Sequence, residues 1–136
     1  MQSQLKDYHI LAFAVLLLFA FLSFKSVGLY PSVQGDEYVH SINAKWADLS
    51  ESNFQEFLYY KVYNVTKHFG SESLNAARLM NAFFFALAIP FVYYTARTVC
   101  DRKGAAIVTF AAIAGPIHTY TAYFMPESFY YLFFWM

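Results

Sequence analysis

Asp36 and Glu37 stand side by side in PSVQGDEYVH, residues 31–40, directly after an apolar run. A third acid, Glu127, follows Pro126 where another apolar run begins, and Arg78 lies in the opening turns of a further one. Carboxylates at a membrane edge are costly if they face lipid, so they normally face a cavity, a cation or a partner. A carboxylate so placed can take a proton from an acceptor hydroxyl or amine. It can also hold a divalent cation, Mg or Mn, that neutralises a phosphate leaving group. The planar fork of Arg78 can pair with an acid or clamp a phosphate.

Each of these residues also has a plainer role. Asp36 and Glu37 can be solvated loop acids. Glu127 can be a first-turn charge favoured by the helix dipole after Pro126. Arg78 can be a snorkelling anchor. His40 falls one helical turn after Asp36, but one His and one Asp do not make a metal site. His118, in an otherwise apolar region, reads as an interhelical hydrogen bond.

The elements that must position these side chains are membrane helices. Of the 136 residues 59% are hydrophobic and only 13% charged, about half the charge of a soluble domain. Sixteen Phe and twelve Tyr exceed what a small soluble core buries. The formal net charge is zero, which gives no sign of a nucleic-acid partner. The one cysteine, Cys100, excludes an intrachain disulfide and Cys-based zinc sets.

Four apolar runs are expected to cross or enter the bilayer. The first, residues 8–30, is long enough for a hydrocarbon core of about 30 Å, with Lys25 near one end and Tyr8 and Tyr30 as anchors. A cleaved signal peptide is the rival for this run, but the later runs need a membrane too. Residues 31–73 form a polar stretch in which Phe54, Phe57, Leu58 and residues 60–62 fit short amphipathic helices on the membrane surface. A small solvated loop domain fits the same pattern. Asn64-Val65-Thr66 is a sequon of a kind common by chance.

The second run, residues 74–99, has Ser71 or Ser73 as its expected N-cap and Pro90 in its middle. The turn Cys100–Gly104 leads to the third run, residues 105–125, which is interrupted at Gly115-Pro116 and rich in small residues suited to close packing. The fourth begins at Glu127 and reaches Met136 within FYYLFFWM, so the chain reads as the N-terminal piece of something longer. Arg97, Arg102 and Lys103 crowd the turn between the second and third runs, and Lys6 precedes the first. Both belong in the cytoplasm by the positive-inside rule. The 31–73 stretch then lies outside. By parity so does Pro126-Glu127, which puts Asp36, Glu37 and Glu127 on one face.

The order of these features resembles the N-terminal part of GT-C-type membrane glycosyltransferases, in the branch of the protein O-mannosyltransferases and the lipid A aminoarabinose transferase. The resemblance rests on the Asp36-Glu37 turn after the first helix and on AARLMNAFFFALAIPFVYYTARTVCDRKGAAIVTFAAIAGPIHTYTAYFMPESFYYLFF. It covers nearly the whole chain and about the first third of a family member, and it lies in pattern rather than in a diagnostic motif. It implies an all-α integral membrane protein and transfer of a sugar from a polyprenyl-phosphate-linked donor to a lipid, glycan or protein acceptor on the external face. Asp36 then maps to the catalytic acid, with Glu37 beside it, and Glu127 to a second acidic position where members often carry Asp. That departure leaves a metal role at Glu127 open. Asp36 would deprotonate the acceptor for a direct, inverting displacement. The paired acids would wait at the interface because a lipid carrier cannot leave the bilayer.

Two other classes compete. A small non-catalytic membrane subunit would pack through the Ala/Gly face of the third run. A transporter fragment would carry acids within its helices, whereas here they cluster at an edge.

Overall fold

The computed structural model describes residues 2–27, 35–46, 56–115, 121 and 123–136. Every regular element among them is helical: α1 Gln2–Val27, α2 Gly35–Trp46, α3 Phe57–Tyr63, a 3₁₀ segment Asn64–Glu72, α4 Ser73–Arg97, α5 Arg102–Ala114 and α6 Glu127–Trp135. By length and composition two stretches can cross a membrane, Asp7–Ser26 within α1 and Phe57–Arg97, which contains α4.

α4 is the central helix. Its alanines at 77, 82, 86, 88 and 96 are buried, and small side chains let neighbouring backbones approach closely. Leu11 of α1 packs with Ile89, Tyr93 and Ala96, whereas Leu22 packs with Ala82 and Phe85. The two helices therefore run antiparallel along a seam of Leu11, Val15, Leu18 and Leu22 at three- and four-residue spacing. The opposite face of α1 exposes Ile10, Phe13, Leu17, Phe21 and Phe24. α5 lies antiparallel to α4, with Ala105 near Ala96 and Ile113 near Phe85. α6 runs parallel to α4: Phe129 lies 5.7 Å from Phe84, and Tyr131 lies 5.1 Å from Phe85, ring centre to ring centre.

The third run, 105–125, breaks where the sequence marks its interruption, and two other expectations are corrected. α5 ends at Ala114, and Gly115 is extended at φ −67°, ψ 173°. The residue before a proline is sterically driven to that region, which accounts for the conformation of Gly115. Neither Ser71 nor Ser73 caps α4. The 3₁₀ segment, kinked at Gly70, leads into it, the Ser73 N–H bonds Gly70 O, and the Glu72 side chain at the cap accepts from the Asn75 side chain at 2.7 Å rather than from a first-turn backbone N–H. Finally, the basic turn belongs to α5 rather than preceding it: Asp101 is the N-cap, accepting from Gly104 N at 2.7 Å, and Arg102 and Lys103 form the first turn. Tyr30, Pro116 and His118 lie outside the described residues.

Candidate functional site

Gly35 opens α2, which places Asp36 and Glu37 together in its first turn, where acids favour the helix dipole. Neighbours on a helix point about 100° apart, so the two acids diverge. Asp36 is exposed, and Glu37 is completely buried. The Glu37 carboxylate meets Arg78, itself 1% exposed, as two parallel charge-assisted bonds: Nε to Oε1 at 2.7 Å and Nη2 to Oε2 at 2.8 Å. The backbone N–H of Phe124 adds a third donor to Oε1 at 2.7 Å. One carboxylate thus joins α2, α4 and the irregular chain before α6. Of the three roles expected for Arg78, the structure has the pairing with an acid, and the buried side chain is not a snorkelling anchor.

One turn after Arg78 on the same face of α4 is Asn81, also fully buried. Its amide donates to Tyr123 O at 2.6 Å and Met125 O at 2.8 Å, and its carbonyl accepts from the Tyr63 hydroxyl. Asn81 therefore holds the chain segment whose Phe124 N–H reaches Glu37. The sequence reading missed this role. The available signal was a polar residue three positions after Arg78 in an otherwise apolar helix.

An aromatic floor supports the arrangement. Tyr59, Tyr60 and Tyr63 form the buried face of α3. Tyr59 stacks on Phe124 with ring centres 5.4 Å apart, and Tyr63 lies 4.9 Å from the same ring. His40, one turn beyond Glu37, has its Nδ1 2.8 Å from the Tyr60 hydroxyl and 3.6 Å from Glu56 Oε2. His40 thus binds α2 to α3 and is not paired with Asp36. The sequon is also engaged: Asn64 Nδ2 donates to Ala44 O at 2.7 Å, and Thr66 is 2% exposed.

Glu127 is the first residue of α6, half-buried, and its Oε2 has no hydrogen-bond partner among the described residues. No hydrogen bond or ion pair joins it to Asp36 or Glu37 among those residues. Its helix is nonetheless seated at the same end of the bundle, because Phe124 touches Glu37 and Phe129 lies 5.7 Å from Tyr59.

Both oxygens of Glu37 already accept from Arg78, and among the described residues no three of His, Cys, Asp or Glu come together. What the arrangement can do is hold one acid, Asp36, open to solvent on a turn whose neighbouring acid is locked in place.

No protein-family model matches the chain, and no curated protein or solved structure is significantly similar to it.

Proposed function

We propose that the chain is part of a multi-pass membrane glycosyltransferase that moves a sugar from a polyprenyl-phosphate-linked donor to an acceptor at the external face. One observation carries this reading: an exposed acid, Asp36, adjoins a buried acid fixed by an arginine and a backbone N–H, at one end of an apolar bundle. Such a turn fits proton removal at a membrane edge. Asp36 accepts the proton of the acceptor hydroxyl, the acceptor oxygen bonds the anomeric carbon, and the sugar–phosphate bond breaks to leave the polyprenyl phosphate. Glu37 accepts three hydrogen bonds and is a positioning residue, not a base. Glu127, with an unpartnered oxygen at the start of α6, is the second acid available to an acceptor or donor hydroxyl.

The reading places both α1 and α4 across the bilayer, with the Asp36 end outside and the Arg97–Lys103 turn inside. The test is transfer from polyprenyl-phosphate sugars in membranes containing the protein, with Asp36→Asn and Glu37→Gln assayed separately. Asp36→Asn is expected to lower turnover at least about a hundredfold, within the range of lost acid–base catalysis, at unchanged expression. Full activity in Asp36→Asn overturns the assignment and leaves a non-catalytic membrane subunit as the better reading. That alternative draws on the uncovered apolar side chains of α5, Ile107, Val108 and Phe110.

A further inference from the structure

The other end of α4 carries a second feature. From Arg78 to Arg97 the helix has no charged residue, and at about 1.5 Å per residue the two arginines are about 28 Å apart along the axis, close to a hydrocarbon thickness of about 30 Å. At the Arg97 end a groove of about 370 Å³ opens between α1, α4 and α5, lined by Asp7, Ile10, Leu11, Tyr93, Arg102, Lys103 and Ala106. Its walls are apolar and its rim is basic.

The two acids near this rim are already engaged. Asp7 lies 2.5 Å from Arg102 Nη2 and accepts from the Tyr93 hydroxyl at 3.3 Å. Asp101 caps α5 through Gly104 N. Lys103 is exposed and forms no ion pair among the described residues. The Arg102 side chain is half exposed, and a guanidinium in contact with one carboxylate oxygen retains further N–H donors. Arg97, also exposed, sits one loop away and closes the turn through Cys100 O at 2.7 Å.

We propose that this groove binds the headgroup of an anionic phospholipid, with Arg102 and Lys103 on the phosphate and the upper acyl chain against Ile10, Leu11 and Ala106. The charge selects the ligand. A phosphatidylcholine headgroup would bring its own cation against Lys103 and Arg97, whereas phosphatidylglycerol brings only the phosphate charge and hydroxyls. The apolar wall below the rim selects a lipid over a free anion, which would leave Ile10, 58% exposed, uncovered. Basic clusters beside membrane helices attract anionic leaflets by this means. The inference needs α1 and α4 to lie in a bilayer; it does not need the chain to be a transferase.

The test is native mass spectrometry of the full chain in detergent, titrated with dioleoylphosphatidylglycerol or dioleoylphosphatidylcholine, with helix content followed by circular dichroism. Wild type is expected to retain phosphatidylglycerol in preference to phosphatidylcholine. Lys103→Gln removes one charge from an exposed position and is expected to weaken retention about fivefold. Ala106→Trp fills the groove at an exposed position without changing charge and is expected to abolish it. Asp7→Asn removes the competitor for Arg102 and is expected to strengthen it. Equal retention of the two lipids by wild type, or wild-type behaviour of both Lys103→Gln and Ala106→Trp, overturns the proposal.

Discussion

The Glu37–Arg78 pair is worth most when it is broken. Two fully buried charges in bidentate contact roughly offset their own desolvation, but removing one partner leaves the other stranded. Arg78→Leu and Glu37→Leu are each expected to lower unfolding stability in detergent by about 3–5 kcal/mol, and the double variant by clearly less than the sum. Arg78→Lys is expected to behave like a loss, since an ammonium cannot reproduce the paired fork. Asn81 makes a related case with a neutral side chain. Asn81→Ala removes three hydrogen bonds and leaves the Tyr63 hydroxyl without its acceptor, so denaturant titration should register a loss of about 2–4 kcal/mol. An additive double variant, or a silent Asn81→Ala, would mean that these buried contacts do not hold the irregular segment in place.

Among the elements, the joint between the 3₁₀ segment and α4 depends on Gly70. Its φ of 56° and ψ of −120° lie where L side chains are strained, although a Cβ there would meet nothing within 4 Å. The cost of Gly70→Ala is therefore one of backbone conformation alone, at least about 1 kcal/mol, and thermal unfolding should show it while the aromatic packing stays intact. Gly104 answers to the opposite constraint. Its backbone conformation is ordinary, but a Cβ would sit 3.0 Å from Asp101 Oδ1 and 3.1 Å from Cys100 Cβ, inside the cap that starts α5. The two glycines punctuate the chain for different reasons: one turns the backbone, and the other lets a capping carboxylate come close.

For the molecule as a whole, α4 should be the most protected element. It contacts α1, α5, α6 and the 3₁₀ segment, whereas α2 packs mainly on α3 and the 3₁₀ segment and is tied through Glu37, the His40–Tyr60 contact and the Asn64 bond to Ala44 O. Hydrogen exchange in detergent should therefore be slowest in the middle of α4 and fastest in α2. Uniform exchange along the chain would argue against a central-helix architecture. The two candidate sites occupy opposite ends of this helix, so variants at Lys103 should leave any activity at Asp36 unchanged to first order.

Run lengths and the scarcity of charge were enough, from the sequence alone, to mark α1 and α4 as helices able to cross a membrane and residues 31–73 as carrying short helices, because apolar length and three- and four-residue spacing are local properties. The sequence also singled out Asp36, Glu37, Arg78 and Glu127, since charges at the edges of apolar runs stand out without any fold. Only the tertiary structure divided the roles of the two adjacent acids. Which of Asp36 and Glu37 is buried depends on how α2 rotates against α4, and nothing in two neighbouring residues specifies that rotation. The same holds for Phe124, whose contribution is a backbone N–H identical in type to every other, and for Asn81, whose partners are main-chain carbonyls more than forty positions away. Hydropathy cannot see those bonds, because they exist only once the segment before α6 has been brought against α4.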